Sequence, residues 1–147
     1  MQTSPQRLLV VEDDVTVARA LSRTLARRGF SVAIARSCTA ARLLAQTFDF
    51  AVLDIDLPDG NGVDLARDLL ESGRVPSVMF FTGSTDGALL ARARRLGPIT
   101  TKASGTSPIL AYLTPDLGPP ASQTMTSAKA RSFRASSSSS LRKQRVR

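Results

Sequence analysis

Histidine is entirely absent from this chain of 147 residues, and cysteine occurs only once, at Cys38. The lack of histidine excludes a Ser-His-Asp or Cys-His catalytic site, a histidine proton shuttle and any metal centre built on imidazole. A single cysteine excludes a disulfide within the chain and a zinc site made of several thiolates. These absences leave carboxylates, hydroxyls, amines, guanidinium groups and a single thiol as the reactive side chains of the chain.

Aromatic residues and long apolar segments are also scarce. Aromatics make up 5% of the chain and tryptophan is missing, while 42% of the residues are hydrophobic, so we expect an aliphatic core. The longest unbroken apolar run, at 109–113, is far shorter than the roughly 20 residues that a membrane-spanning helix needs. The apolar stretch near the amino terminus is too short for a secretory signal. We therefore expect a cytoplasmic protein without a membrane span.

Charge is distributed unevenly along the chain, which carries a formal net charge of +8. Residues 1–113 hold 13 basic and 11 acidic residues, whereas residues 114–147 hold seven basic residues and one acidic residue. The second segment is rich in Ser and Pro and has few large apolar residues, so it cannot offset the entropy of ordering. We predict a folded domain at 1–113 and a disordered basic tail at 114–147. The end of this tail, RKQRVR at 142–147, either is simply solvated or binds nucleic acid or an anionic membrane.

Short apolar segments alternate with amphipathic helical patterns through the first of these segments. The apolar segments predict strands at 8–11, 31–35, 50–53, 77–81 and 99–101. Helices are predicted at 15–28, 38–46, 63–71, 86–96 and 107–113. This alternation predicts a three-layer α/β/α sandwich around a five-stranded parallel sheet. The fifth helix is short, because Pro115 disfavours helical structure at the residue before it.

Polar residues follow four of the predicted strands at the point where each strand ends. They are Glu12-Asp13-Asp14, Asp54, Thr82 and Lys102. Parallel sheets bind ligands beyond the carboxyl ends of their strands, so we expect these side chains to converge there. Neighbouring carboxylates repel one another, and Mg²⁺, which prefers oxygen ligands, relieves that repulsion. With Asp54 as the nucleophile and with Thr82 and Lys102 holding the transferred group, the set is suited to phosphoryl transfer onto a carboxylate.

Other polar residues near this edge have simpler interpretations. Asp14 is predicted to cap the amino terminus of the first helix, because an aspartate at that position can accept from free backbone N–H groups. The side chains of Asp56 and Asp59 are predicted to be solvated loop acids. Cys38 is predicted to pack on a helix face without a redox role.

The order and spacing of these motifs resemble the receiver domain of two-component response regulators. The resemblance rests on residues 9–14 (LVVEDD), 52–62 (VLDIDLPDGNG), 81–83 (FTG) and Lys102. It covers roughly residues 7–113 and implies a flavodoxin-like sheet with strand order 2-1-3-4-5.

The same resemblance implies a function for the polar cluster. Asp54 would accept a phosphoryl group from a phosphohistidine of a sensor histidine kinase or phosphotransfer protein, so the chain would be a phosphoacceptor that at most dephosphorylates itself, and not an enzyme. Thr82 and Lys102 would contact the phosphoryl group. The implied Mg²⁺ ligands are the carboxylates of Glu12, Asp13 and Asp54 and the backbone carbonyl of Asp56.

Three features depart from the usual pattern of that family. Ala103 follows Lys102 in place of a proline, Ile99 stands where an aromatic switch residue is usual, and the fifth helix is short. The acceptor site is complete, whereas the surface used for output is altered. We therefore expect a monomeric, stand-alone receiver without a DNA-binding domain, with an output partner that the sequence does not name.

Two other functions remain open on the residues alone. Phosphatases of the haloacid-dehalogenase class also use an Asp nucleophile, a Ser or Thr, a Lys and Mg²⁺, and the segment 54–56 with Thr82 imitates their motif. Their motif order differs, because the nucleophile strand comes first and an acidic pair follows the lysine. A receiver-like adaptor that binds partners without phosphorylation is favoured by Ile99 and the short fifth helix, and it is opposed by the intact Asp54 and Lys102.

Overall fold

The computed structural model describes residues 4–113 of the chain. The chain separates into two units, Met1–Thr106 and Ser107–Arg147. The first unit contains a five-stranded sheet and four α-helices among its described residues, and the described part of the second unit is helix α5 (Ser107–Leu113). The predicted disordered tail at 114–147 lies outside the described residues.

Strands and helices alternate along the first unit, as the hydrophobic pattern predicts. The strands are β1 (Arg7–Val11), β2 (Ser31–Ala35), β3 (Phe50–Leu53), β4 (Asp56–Leu57), β5 (Gly60–Asn61), β6 (Val78–Thr82) and β7 (Ile99–Thr101). The helices are α1 (Val15–Arg27), α2 (Cys38–Leu43), α3 (Gly62–Glu71) and α4 (Gly87–Leu96), and a 3₁₀ turn spans Lys102–Ser104.

The main sheet has the order β2-β1-β3-β6-β7, and every neighbouring pair in it is parallel. Counted among these five strands alone, the order is 2-1-3-4-5, so the predicted flavodoxin-like fold class is confirmed. β1 lies between two partners, with Leu9 opposite Ala33 of β2 and Ala51 of β3. This register brings the carboxyl ends of β1, β3 and β6 to the same edge of the sheet.

The central strands β1, β3 and β6 are buried on both faces, because successive side chains of a strand point to opposite sides. On one face, helices α2, α3 and α4 pack onto a cluster that includes Leu9, Leu53 and Phe80. The alternate strand residues belong to the other face, where α1 buries Leu21 and Leu25. Among residues 4–113, no helix has the length and hydropathy that crossing a membrane requires.

The ends of the helices show one confirmed prediction and one difference. Asp14 caps α1, since its carboxylate accepts from the backbone N–H groups of Thr16 and Val17 at 2.9 and 3.1 Å. Helix α2 ends at Leu43, three residues before the predicted end at 46. The guanidinium of Arg74 donates to the carbonyl of Arg42 at 3.0 Å, so a distant side chain satisfies the carbonyl that residue 46 would have paired in a longer helix.

Candidate functional site

Asp54 lies directly after β3, at the edge where the central strands end, and only 5% of its surface is exposed. Its Oδ1 atom accepts from the backbone N–H of Ile55 at 2.7 Å and from the Thr82 hydroxyl at 2.8 Å. Its Oδ2 atom accepts from Lys102 Nζ at 2.8 Å. A buried carboxylate is costly without partners, and here each oxygen has at least one.

Glu12 lies at the end of β1 and is 2% exposed. Its Oε1 atom is 2.8 Å from Lys102 Nζ, so one ammonium group bridges the buried carboxylates of Glu12 and Asp54. Burial raises the pKa of Glu12 above its usual value, more than the hydrogen bond from Lys102 lowers it. Burial lowers the pKa of Lys102, but its hydrogen bonds to Asp54 and Glu12 outweigh that effect and the pKa is raised overall.

A third carboxylate joins this pair. Oxygen atoms of Glu12, Asp13 and Asp54 all lie within 4.8 Å of one another, and Asp13 is exposed to solvent. Three carboxylates face one ammonium, which leaves an excess of negative charge. All the atoms that the three carboxylates offer to a metal ion are oxygen atoms. Hard divalent cations such as Mg²⁺ prefer this donor set, so the residues present fit that ion. The side chain of Asp56 is exposed and lies outside the carboxylate cluster, so the role expected for its backbone carbonyl stays a prediction.

Thr82 is the last residue of β6 and is 1% exposed. Its hydroxyl donates to Asp54 and accepts from the backbone N–H of Ser84 at 3.0 Å. The second contact fixes the orientation of the hydroxyl group. Glu12, Asp13, Asp54, Thr82 and Lys102 are thus brought together, and we call these five residues the acceptor cluster.

The backbone that presents Lys102 was not predicted from the sequence. Lys102 begins the 3₁₀ turn, in which its carbonyl accepts from the N–H of Gly105 at 3.1 Å. Gly105 has a φ of +76°, in the region that favours glycine, so a glycine closes the turn that contains Lys102 and Ala103. The signal in the sequence is the glycine three residues after the lysine.

Gly62 is a second residue whose contribution to the site was missed. Its backbone N–H donates to the carbonyl of Ile55 at 2.7 Å, and a Cβ atom on Gly62 would lie 1.9 Å from the carbonyl oxygen of Asp54. Only glycine therefore allows α3 to begin this close to the end of β3. The β4–β5 hairpin lies between Asp54 and Gly62 and makes this approach.

The prediction for Asp59 needs correction. Its side chain is exposed as expected, but it is not simply a solvated loop acid. Its carboxylate accepts from the backbone N–H groups of Cys38 and Thr39, both at 2.8 Å, and from the Thr39 hydroxyl at 2.6 Å. The hydrogen bond from the Thr39 hydroxyl, followed by those from the backbone, holds the pKa of Asp59 well below its usual range. Asp59 thus ties the hairpin to the start of α2, where Cys38 is buried as predicted.

Comparison with known proteins supplies a family match. Residues 8–101 match the family model described as response regulator receiver domain. The chain is 40% identical over 90 residues to the DNA-binding response regulator MtrA of Mycobacterium tuberculosis (strain ATCC 25618 / H37Rv), which covers 58% of this chain and 38% of MtrA. The chain therefore spans well under half the length of the MtrA relatives that it matches.

Two solved structures illustrate the similarity in three dimensions. The non-phosphorylated HemR receiver domain from Leptospira biflexa has a TM-score of 0.59 and 31% identity, over 66% of this chain and 82% of that chain. A CheY-like response regulator receiver domain protein from Methanospirillum hungatei JF-1 has a TM-score of 0.69 over 78% of this chain and 94% of that chain. Its identity is 23%, so that similarity concerns the fold alone.

Proposed function

This chain belongs to the response regulator receiver domain family, and we propose that it accepts a phosphoryl group on Asp54 from a phosphohistidine of a sensor histidine kinase or phosphotransfer protein. The observation that carries the proposal is the buried Asp54 carboxylate, which is held between the Thr82 hydroxyl and the Lys102 ammonium. The excess of negative charge in the acceptor cluster also favours the binding of a divalent cation.

The proposed step is a displacement at phosphorus. A carboxylate oxygen of Asp54 forms the new P–O bond, and the P–N bond of the phosphohistidine breaks. The electron pair of that bond returns to the leaving imidazole, which takes up a proton. This chain contains no histidine, so the donor histidine belongs to the partner.

The neighbours of Asp54 have distinct parts in this proposal. Lys102 supplies a positive charge that can move from the carboxylate to a phosphoryl oxygen, and Thr82 supplies a hydrogen-bond donor. Bound Mg²⁺ would neutralise negative charge on the phosphoryl oxygens. The residues that would hold it are Glu12, Asp13 and Asp54, with the backbone carbonyl of Asp56.

Intact-mass measurement of the full chain, incubated with acetyl phosphate and Mg²⁺, tests the proposal. We expect one added phosphoryl group, which Asp54→Asn abolishes. Asp56→Asn is the matched control, because it removes the same charge two residues away and keeps the backbone carbonyl. Full labelling of the Asp54→Asn variant would contradict the proposal. Repeated release of phosphate without a lasting phosphorylated adduct would indicate a phosphatase, and an absence of any reaction would indicate an adaptor.

We also propose that the receiver is monomeric and cytoplasmic and that its folded part ends near residue 113. Helix α5 has seven residues and Ile99 replaces an aromatic residue, which supports an altered output surface. Sedimentation with and without acetyl phosphate should give the mass of one chain in both conditions. A chain ending at Leu113 should keep the phosphorylation rate of the full chain, and a phosphorylation-dependent dimer would contradict the monomer.

A further inference from the structure

A cavity of about 140 Å³ lies between α3 and α4, away from the acceptor cluster. Val63 and Arg67 of α3 line it together with Arg92, Arg95 and Leu96 of α4. We call these five residues the arginine cavity. The proposed function does not use any of them.

Positive charge exceeds negative charge at this cavity. Asp64 Oδ1 lies 2.5 Å from Arg92 Nη2 and 3.5 Å from Arg67 Nη2, so two guanidinium groups share one carboxylate oxygen. The other oxygen of Asp64 accepts from Asn61 Nδ2 at 3.0 Å. Arg95 forms no ion pair with any residue in the range 4–113. The guanidinium groups therefore have unused donors that point to an anionic ligand.

The cavity also has an apolar part, formed by the buried Val63 and the half-buried Leu96. An apolar group of a ligand that packs on this surface would exclude water from the neighbouring guanidinium groups and so strengthen their bonds to a carboxylate. The preferred ligand therefore combines a carboxylate with an apolar group.

The volume of the cavity narrows the class of ligand. Pockets for small molecules usually enclose about 300–1,000 Å³, which is well above the volume found here. Space on this scale accepts one or two side chains of a protein that lies across the opening. Arginine and apolar anchors of this kind commonly carry the binding energy of protein interfaces.

We propose that the arginine cavity docks an acidic segment of a partner protein, in which a leucine-like side chain enters between α3 and α4 and flanking carboxylates bind Arg67, Arg92 and Arg95. This surface is separate from the acceptor cluster, so the proposal does not depend on phosphorylation of Asp54.

The test uses the full chain labelled with ¹⁵N and the probe peptide acetyl-EELEEL-amide, followed by NMR. We expect the probe to shift the Nε–Hε signals of the three cavity arginines and backbone signals of α3 and α4. A probe with serine in place of leucine should bind about tenfold more weakly, because it lacks the apolar group. Equal binding of both probes, or shifts confined to residues 114–147, would overturn the proposal.

A matched pair of variants shows whether the probe binds the arginines that line the cavity or other arginines nearby. Arg95→Gln should weaken binding of the probe about fivefold, the upper end for an exposed ion pair. Arg94→Gln removes the same charge from the neighbouring exposed position, which does not line the cavity, and should leave the affinity unchanged. Equal weakening by both variants would show attraction to net charge alone and would refute docking at the cavity.

Discussion

The acceptor cluster and the arginine cavity have opposite charge compositions within the same unit of the chain. The cluster sets three carboxylates against one ammonium, whereas the cavity sets three guanidinium groups against the single carboxylate of Asp64. The side chains of Glu12 and Asp54 are 3% and 6% exposed, whereas those of Arg67 and Arg92 are 51% and 42% exposed.

Burial decides what each charge excess can do. In the buried cluster, each carboxylate needs a hydrogen-bond partner or a cation, so loss of one partner affects both stability and chemistry. At the exposed cavity, water screens the guanidinium groups, so their excess costs little and acts mainly on a ligand. Changes at the buried members of the cluster should therefore affect folding, whereas changes at the exposed Asp13 or at the cavity should affect mainly binding.

The largest effect on stability is expected at Gly62, the first residue of α3, which lies against the backbone of Asp54. In Gly62→Ala, the new Cβ would meet the carbonyl oxygen of Asp54, and we expect a loss of about 3 kcal/mol in the free energy of unfolding. Denaturant unfolding measures it. Gly87→Ala is the control, since open space surrounds Gly87, and it should be neutral or stabilising by about 0.5 kcal/mol. Similar losses for both variants would mean that the close approach at Gly62 is not what matters.

A smaller loss of stability is expected when the acceptor cluster loses the ammonium group of Lys102. Lys102→Gln leaves the buried carboxylates of Glu12 and Asp54 without their shared ammonium. We expect a loss of about 2 kcal/mol, below the usual cost of breaking a buried pair, because Glu12 can take up a proton. Phosphorylation by acetyl phosphate should fall while the affinity for Mg²⁺ rises, as calorimetric titration can show. An unchanged free energy of unfolding would argue that the ion pairs of Lys102 with Glu12 and Asp54 do not stabilise the fold.

Asp13 should affect metal binding without affecting folding. Asp13→Ala should weaken Mg²⁺ binding about tenfold or more, since loss of even an outer-shell partner has that effect. It also relieves repulsion among the three carboxylates, so the free energy of unfolding without metal should not fall. Asp56→Ala removes the same charge outside the cluster and should bind Mg²⁺ as the wild type does. Identical titrations for wild type and Asp13→Ala would exclude this aspartate as a ligand.

At the arginine cavity, removal of a carboxylate should strengthen binding. Asp64→Asn frees the guanidinium groups of Arg92 and Arg67, so the affinity for the probe peptide should rise about threefold. Because these pairs are exposed, the free energy of unfolding should fall by no more than about 1 kcal/mol. Asp68→Asn is the control, since Asp68 pairs with Arg42 outside the cavity. An equal rise in both variants would indicate a general charge effect.

The smallest effect on stability is expected at Asp59. This residue is exposed, so it tests what hydrogen bonds contribute where burial is absent. Its folded pKa lies below the model-compound value of 3.8, so its ionised form stabilises the fold above that pH. The stabilisation is lost as the pH falls through the folded pKa. The wild type should therefore be more stable than Asp59→Asn by a constant amount from neutral pH to about pH 5, and the difference should shrink below about pH 4. A difference that does not change with pH would contradict the lowered pKa.

Much of the fold follows from local patterns. Continuous apolar runs such as those of β1 and β3 predict strands buried on both faces, and β2, β3 and β7 have the predicted bounds. The convergence of Asp54 and Lys102 also follows from the sequence, because the carboxyl ends of parallel strands share one edge. Their proposed roles in phosphoryl transfer rest on the family resemblance and stay open to the labelling experiment.

The sequence by itself thus determined the three-layer α/β/α architecture and the polar residues at the sheet edge, because strand periodicity and strand ends are local properties. The strand order 2-1-3-4-5 was implied by the family resemblance. Only the tertiary structure decided that Gly62 lies against the carbonyl of Asp54, that Asp59 holds the start of α2 and that Arg92 shares Asp64 with Arg67. These contacts join separate elements, up to 28 residues apart for Arg92 and Asp64. Their geometry depends on how the elements pack, and no local periodicity records it.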